Sequence, residues 1–327
     1  DVRQIEILQR CCKKVVVDRR RSIGDQYRSV TRPPEPPRQA SSQNARLKIY
    51  ADHIPAESES GESEFLSIAR RLREQKRSTP VERKIPPAHG SSLEAELIYS
   101  APIIDDVHRT LDTIRDARDP SGSVDLQRVH GLVEEMAAGV ERNPDAMLWL
   151  TRLKITDQYS YDHAVDVSVH LMVFGRFLGL GNAPIEDLGL AGLMQDIGKA
   201  AIDPELLQKK TALSEEEYAL VQSHVVSSIE LLGGKHAFSK NVMNIIAAHH
   251  ERFDGSGYPL GIDGSSLSLY GELAGLVDSY CAMTRHRVFR PAESSQKALE
   301  TLSRLRGTKF RETLVDQFVQ CICLYPI

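Results

Sequence analysis

The chain has 327 residues, of which 41% are hydrophobic and 26% charged, and its formal net charge is −4 at pH 7. This composition is typical of a soluble protein of one or two domains, and without any apolar run of about 18 residues we expect no membrane span. The five cysteines lack the spacing of a zinc knuckle or redox motif. They predict free thiols in a reducing compartment, which favours the cytoplasm. The sequence has no start methionine and no apolar leader, so we expect a piece of a longer protein without a secretory signal.

The N-terminal part of the chain does not predict a core. Residues 1–18 predict a helix followed by a short strand at 15–17, and residues 19–92 have the composition of a disordered linker, with a proline-rich stretch at 32–37 and a Ser/Glu run at 57–64. Residues 1–50 carry twelve Lys/Arg and five Asp/Glu, a net charge of +7. Such a segment could contact nucleic acid or anionic lipid, but no aromatic residues or binding motif accompany the charge. A solvated linker is the better interpretation, and we expect no nucleic-acid polymer as a partner.

From residue 93 to 327 the hydrophobic pattern is helical, and we predict an all-α domain. Apolar residues with spacings of three and four, which form one face of a helix, occur in two places: Ile103, Val107, Leu111, Ile114; and Val129, Leu132, Val133, Met136. Asn143-Pro144 is predicted to start another helix, which contains Met147, Leu148 and Leu150. Further helices follow with short breaks at Gly, Pro or Asp, and no useful run alternates with period two.

Several His and Asp residues of this region are each placed on or beside a helix that could turn them inward. They are His163, Asp196, His224, His249, His250 and Asp278. His163 starts an apolar helix over 165–178, and Asp196 lies at the end of a helix closed by Gly198. We predict that His224 shares a buried face with Leu220 and Val221, on a helix begun by a capping box of Ser214 and Glu217. His249 and His250 lie near the end of a helix, and Asp278 ends the apolar run 273–277.

Each of these residues alone has an ordinary structural interpretation, as a hydrogen-bonded core histidine or a helix cap. Together, however, four histidines and two aspartates are costly to bury unless they are paired or bind metal. Imidazole and carboxylate without thiolate suit Mn, Fe, Zn or Ni better than Ca. A carboxylate such as Asp196 can bridge two metals at the separation of about 3.5–4 Å used for phosphoester hydrolysis.

Residues 254–257, with the sequence DGSG, permit close backbone approach, and Pro259 stiffens the exit of the segment. This pattern suits a loop folded over a ligand with Tyr258 aimed at it. A purely structural turn is the alternative.

Residues 249–259, HHERFDGSGYP, resemble the signature HHE-x-x-DG-x-GYP of HD-GYP domains, which are helical, metal-dependent phosphohydrolases that cleave cyclic di-GMP. The flanking stretches 206–217 and 278–290 are also similar, and the resemblance covers about residues 149–316. It implies one or two Fe or Mn ions per chain, with Asp196 and Lys199 catalytic and Tyr258 beside the substrate. It implies metal ligands at the six positions above and phosphate contacts from Lys199, Arg287 and Arg290. Residues 1–18 are similar to the tail of a small domain that precedes such domains in bacteria.

The family's His-Asp pair reads Gln195-Asp196 here, and an amide oxygen is a poorer transition-metal ligand than an imidazole. The metal shared by His163, Asp196 and Asp278 would therefore lose a ligand. Tyr159 stands where some members place a Glu for a third metal, so we expect no third ion. Cys281 and Val288 replace a family Asp and Pro, which we expect to be mild, structural changes.

Two functional hypotheses follow from this pattern. In the first, the chain is a bacterial cyclic di-GMP phosphodiesterase in which an activated water attacks phosphorus in line and basic residues take up charge. In the second, it is a catalytically weak or inactive module that senses the nucleotide or docks a partner, such as a diguanylate cyclase, through the GYP loop.

Overall fold

The structure is a computed structural model that describes residues 92–116, 125–153, 159–233, 238–285 and 292–325. These residues form twelve α-helices and one 3-10 helix, and apart from two isolated β-bridges they contain no β-structure, which confirms the all-α prediction. The first helices are α1 (Leu93–Asp116), α2 (Leu126–Arg142), α3 (Pro144–Leu153), α4 (Tyr159–Phe177) and α5 (Asn182–Met194). The 3-10 helix (Ile197–Ala201), α6 (Pro204–Leu207), α7 (Glu215–Gln222), α8 (His224–Gly233) and α9 (Lys240–Ala248) follow. The last are α10 (Leu269–Thr284), α11 (Ser295–Leu305) and α12 (Glu312–Leu324).

The predicted N-terminal remnant at 1–18 and nearly all of the predicted linker, 19–91, lie outside the described residues. Val288, Arg287 and Arg290 also lie outside them, and the side chain of Tyr159 is not described. The domain division therefore stays a prediction, as do the roles of Arg287 and Arg290.

Helix α4 lies at the centre of the molecule. Every residue from 162 to 175 is buried, so the helix presents no solvent face along this stretch, in agreement with the predicted apolar helix at 165–178. Helix α5 packs closely against it because Gly192 has no side chain: a Cβ atom there would lie 2.7 Å from Ser168 Cα. Ser168 Oγ also donates a hydrogen bond to Gly189 O at 2.8 Å. Helix α10, which is mostly buried, packs against α4 as well.

Helices α1 to α3 pack on this centre through the predicted apolar faces. Ile103, Val107 and Leu111 on α1 are buried, and so are the four apolar residues of α2 predicted to form its stripe. Helix α3 begins at Pro144, and Asn143 Oδ1 accepts a hydrogen bond from the backbone N–H of Ala146 at 3.0 Å. This N-cap confirms the helix start predicted at the Asn-Pro pair.

Helix α12 closes the core from the C-terminal side, where the Phe318 ring meets Phe174 and Tyr280 edge to face.

Cys281 and Cys321 are buried free thiols, as predicted. The prediction is wrong for Cys323, which is disulfide-bonded. None of the described helices is long and apolar enough to cross a membrane.

Candidate metal centre

Five separate parts of the fold bring the predicted site residues together. His163 lies near the start of α4, Asp196 follows α5, His224 begins α8, His249 and His250 follow α9, and Asp278 lies within α10. All of these side chains are buried except that of His250, which is partly exposed. Two overlapping groups within this set could each hold a metal ion, and Asp196 belongs to both.

The backbone around Asp196 differs from the sequence prediction. Helix α5 ends at Met194, and Asp196 precedes the 3-10 helix that contains Gly198, so Gly198 does not close a helix. A Cβ atom at Gly198 would lie 2.1 Å from His224 O and 2.4 Å from Ser228 N. The glycine is therefore required for the close approach of the 3-10 helix to α8, which brings Asp196 beside His224.

His224 is buried as predicted, but not for the predicted reason. The capping box is present, since Glu217 N donates to Ser214 Oγ and Ser214 N donates to Glu217 Oε2. Helix α7 nevertheless ends at Gln222, and His224 begins a new helix. Leu220 is 56% exposed, so it does not share the buried face of His224. The interruption at Ser223 breaks the helical periodicity on which the prediction depended.

The first candidate group contains Asp196, His224, His249 and His250. His224 Nδ1 lies 2.7 Å from Val221 O and His249 Nδ1 lies 2.6 Å from Ile246 O. Because a carbonyl oxygen only accepts, both Nδ1 atoms donate, and in the neutral form of each ring Nε2 presents a lone pair to the site. These two Nε2 atoms are 3.4 Å apart, and Asp196 Oδ1 lies 3.2 and 3.9 Å from them. Three electron-rich atoms that converge without a hydrogen between them fit a divalent cation, and the N/O donor set suits a transition metal.

The second candidate group contains His163, Asp196 and Asp278. His163 Nε2 lies 3.0 Å from Asp278 Oδ1 and 3.9 Å from Asp196 Oδ2. Gln195 Nε2 donates a hydrogen bond to the same Asp278 Oδ1 at 2.9 Å, while Gln195 Oε1 is buried and has no hydrogen-bond partner among the described residues. This group is less suited to a cation than the first, because an amide hydrogen occupies one of its carboxylate oxygens.

The electrostatics of the centre favour the protonation states that metal ligands need. Burial would raise the pKa of Asp196, but Lys199, with Nζ 2.6 Å from Oδ2, and His224 hold that pKa well below its usual range. Burial and the neighbouring His224 lower the pKa of His249 to about 4, and burial and His249 lower that of His250. A neutral imidazole at His249 and His250 and a charged carboxylate at Asp196 are the ligand forms required for metal binding.

The ring of Tyr258 lies over that of His250 at the candidate centre, while its predicted place beside a ligand stays a prediction. Its ring stacks on that of His250 with centroids 4.5 Å apart and an angle of 29° between the planes. The backbone N–H of Tyr258 donates to His250 O at 3.2 Å, and Gly257 packs directly on the backbone of Glu251. The loop is thus folded back onto the histidine pair.

Sequence reasoning missed Glu251, which fixes this loop. The side chain is only 2% exposed and accepts hydrogen bonds from the backbone N–H groups of Leu260, Gly261 and Ile262 at 2.8, 3.2 and 2.9 Å. Burial raises the pKa of Glu251, and the three N–H donors oppose that rise. The sequence signal that could have identified Glu251 is its position: it directly follows the His249-His250 pair and precedes a glycine-rich loop with many backbone N–H donors.

A second buried polar cluster, also missed, lies along α4 and α10 and contains Asp166, His170 and Cys281. Thr151 Oγ1 donates to Asp166 Oδ1 at 2.8 Å, and Arg285 Nε donates to Asp166 Oδ2 at 3.1 Å. The arginine already balances the carboxylate, so the cluster is an ionic network that ties α3 and the end of α10 to α4. Cys281, which replaces a family Asp, is buried in this network.

Comparisons with known proteins agree with this geometry. A model of the HD domain family matches residues 147–314. The chain is 33% identical over 213 residues to the cyclic di-GMP phosphodiesterase PA4108 of Pseudomonas aeruginosa, an alignment covering 65% of this chain and 51% of that protein. It is also 32% identical over 170 residues to the 3'3'-cGAMP-specific phosphodiesterase 1 of Vibrio cholerae. That alignment covers 51% of this chain and 39% of the Vibrio protein. The chain thus spans about half or less of the length of these relatives.

A solved structure has a similar fold. Bd1817, a HDG"Y"P protein from Bdellovibrio bacteriovorus, superposes with a TM-score of 0.58 and covers 72% of this chain and 74% of that one. At 17% sequence identity, this likeness concerns the fold alone.

Proposed function

The chain belongs to the HD domain family as an HD-GYP domain protein, and on that premise we propose that it is a metal-dependent phosphodiesterase that hydrolyses cyclic di-GMP in bacterial second-messenger signalling. The observation that carries the proposal is the convergence of the His224 and His249 Nε2 atoms with Asp196 Oδ1 in a buried centre. Cyclic di-GMP and 3'3'-cGAMP phosphodiesterases among the relatives support a cyclic dinucleotide as the substrate class.

Two groups of residues would hold the metals, which we propose to be Fe or Mn. Asp196, His224, His249 and His250 form one group, and His163, Asp196 and Asp278 form the other. When bound, divalent ions of this kind activate water and polarise a phosphodiester. The tighter of the two sites is the first, because its three nitrogen donors are intact whereas Gln195 occupies part of the second.

The protein's own residues have distinct roles in this proposal. Asp196 directs Oδ1 to one group and Oδ2 to the other, and so holds the two together. Lys199 neutralises Asp196 and, being partly exposed, can also contact a phosphate oxygen. Glu251 fixes the loop that places Tyr258 over His250 and limits access of water. Arg287 and Arg290 are proposed to bind phosphate.

A weak or inactive nucleotide sensor, or a module that docks a partner such as a diguanylate cyclase through the GYP loop, is the second candidate function. The observation that favours it is the hydrogen bond from Gln195 Nε2 to Asp278 Oδ1, which competes with a metal for that oxygen. A sensor needs the pocket but not two intact metal sites.

Metal content and turnover separate these candidates. The chain would be purified with Mn(II) or Fe(II) supplied, its metal content per chain measured, and hydrolysis of cyclic di-GMP and 3'3'-cGAMP followed by chromatography of the products. We expect metal-dependent cleavage that is lost in Asp196→Asn. If the metal-loaded chain binds the nucleotide without cleaving it, the sensor is favoured instead. If the chain neither binds nor cleaves the nucleotide, the docking module is favoured.

A further inference from the structure

Three aromatic rings lead from the surface of the protein to the candidate metal centre. His250 belongs to the first metal-binding group, and the ring of Tyr258 stacks on it at 4.5 Å. Tyr218, on helix α7, meets Tyr258 edge to face, with centroids 6.5 Å apart and 76° between the planes. Tyr218 is 50% exposed, so its ring is the outermost of the three and is open to solvent.

Polar contacts, not burial, hold the helix that carries Tyr218. Helix α7 is described along its whole length and buries none of its eight residues. The helix is fixed by the capping box at Ser214 and by Lys209, whose Nζ lies 2.6 Å from the Glu217 carboxylate. A single exposed aromatic residue needs no functional explanation, but this one extends the aromatic surface that begins over the centre.

We propose that Tyr218 is a stacking platform for a nucleobase of the cyclic dinucleotide, and this inference rests on the proposed function. Tyr218 and Tyr258 stand almost at right angles and form a corner beside the centre where the phosphodiester would lie. A planar base can lie flat on Tyr218 with its edge toward Tyr258. Because every base has a π face, such stacking adds affinity with little choice between bases. Tyr218 is then a binding residue shared by cyclic di-GMP and 3'3'-cGAMP.

The test compares Tyr218→Ala with Tyr218→Phe, which keeps the ring, and with Leu220→Ala, a matched control on the same helix that is also exposed. Hydrolysis of cyclic di-GMP and its equilibrium binding are measured on the metal-loaded chain. Loss of one base–aromatic stack should raise KM and Kd about tenfold in Tyr218→Ala. It should leave kcat unchanged, because ground state and transition state lose the same contact. Tyr218→Phe and Leu220→Ala should match the wild type.

The outcomes separate this inference from the proposed function. If wild type cleaves cyclic di-GMP and Tyr218→Ala keeps its KM, or if Leu220→Ala raises KM equally, the stacking role is overturned while the phosphodiesterase stands. If wild type binds without cleaving and only Tyr218→Ala weakens binding, the stacking role is supported although the proposed activity fails. If wild type neither binds nor cleaves, both are overturned.

Discussion

Gln195 donates its amide hydrogen to Asp278 Oδ1 at 2.9 Å and so occupies a carboxylate oxygen that the second metal group needs. We expect Gln195→His to raise metal content per chain and to raise hydrolysis of cyclic di-GMP. Changes outside the ligand sphere already alter metal affinity 10–100-fold, so a restored ligand should change it by about tenfold or more. Metal analysis and initial rates at limiting Mn(II) measure the two effects.

The control for this variant is Gln296→His, which adds the same imidazole at an exposed position on α11 and should change neither quantity. A variant that binds two metals and still does not cleave would show that the pocket is deficient elsewhere and would favour the docking module. Equal rates for wild type and Gln195→His would show that the amide is tolerated.

His250 tests the first metal group. Replacing it with Ala removes a ligand from the group that also contains Asp196, His224 and His249, and should lower metal content per chain. It should also abolish the rise in Tm that Mn(II) gives the wild type, since only binding to the folded state stabilises it. His130→Ala, outside both groups, is the control. Unchanged metal content in His250→Ala would contradict the ligand assignment.

At the level of elements, Glu251 is one buried anchor of the loop between α9 and α10. Glu251 accepts three backbone hydrogen bonds from residues 260–262, and Glu251→Gln places an amide NH₂ against at least one of these N–H donors. We expect the free energy of unfolding to fall by about 1–3 kcal/mol. Urea denaturation measures this, with exposed Glu312→Gln as the control. A similar loss in both variants would mean that the loop does not depend on the buried carboxylate.

The contact between α4, α3 and the end of α10 depends on Asp166, which is fully buried and bonded to Thr151 and Arg285. Asp166→Asn removes one of the two carboxylates that pair with Arg285, and Asp162, with Oδ2 3.3 Å from Nη1 of the arginine, remains as the other. We therefore expect a loss at the low end of about 3–5 kcal/mol in the free energy of unfolding. Glu141→Gln, which removes an exposed partner of Arg176, should cost less than about 1 kcal/mol.

The effect of Asp166→Asn should depend on pH. Burial would raise the pKa of Asp166, but His170 and Arg285 hold it well below its usual range. A lowered pKa in the folded state means that the carboxylate stabilises the fold above its unfolded pKa of about 3.9 and loses this contribution as pH falls below that value. The difference in free energy of unfolding between wild type and variant should therefore stay constant from pH 7 to about pH 5 and narrow from there to about pH 3, as measured by urea denaturation. A constant difference would contradict the assigned charge state.

For the whole molecule, the proposed domain division is a linker at residues 19–92 followed by a helical domain, whose first described helix begins at Leu93. The composition of residues 19–92 predicts too few apolar side chains to offset the entropy of ordering. Limited proteolysis should therefore cut within 19–92 and leave a stable C-terminal fragment, identified by mass spectrometry. First cuts within 93–327 would contradict the proposed boundary.

The sequence was sufficient to predict the all-α fold, the apolar faces of the first helices and the residue types of the candidate centre. Helical periodicity is local, so the apolar faces of α1 and α2 and the capping box at Ser214 could be read directly. Four histidines and two aspartates in a helical core predicted a metal centre because burying them without a partner is costly.

Only the tertiary structure decided how these residues meet. The helix break before His224 and the close approach at Gly198 depend on packing between the 3-10 helix and α8, which are separated along the chain and leave no periodic pattern. Three further contacts also leave no periodic pattern in the sequence. They are the hydrogen bond from Gln195 to Asp278, the ion pair of Asp166 with Arg285, and the edge-to-face contact of Tyr218 with Tyr258. Each is a contact between distant segments, and its geometry follows from the packed core, whereas sequence periodicity reports only which face of each helix is buried.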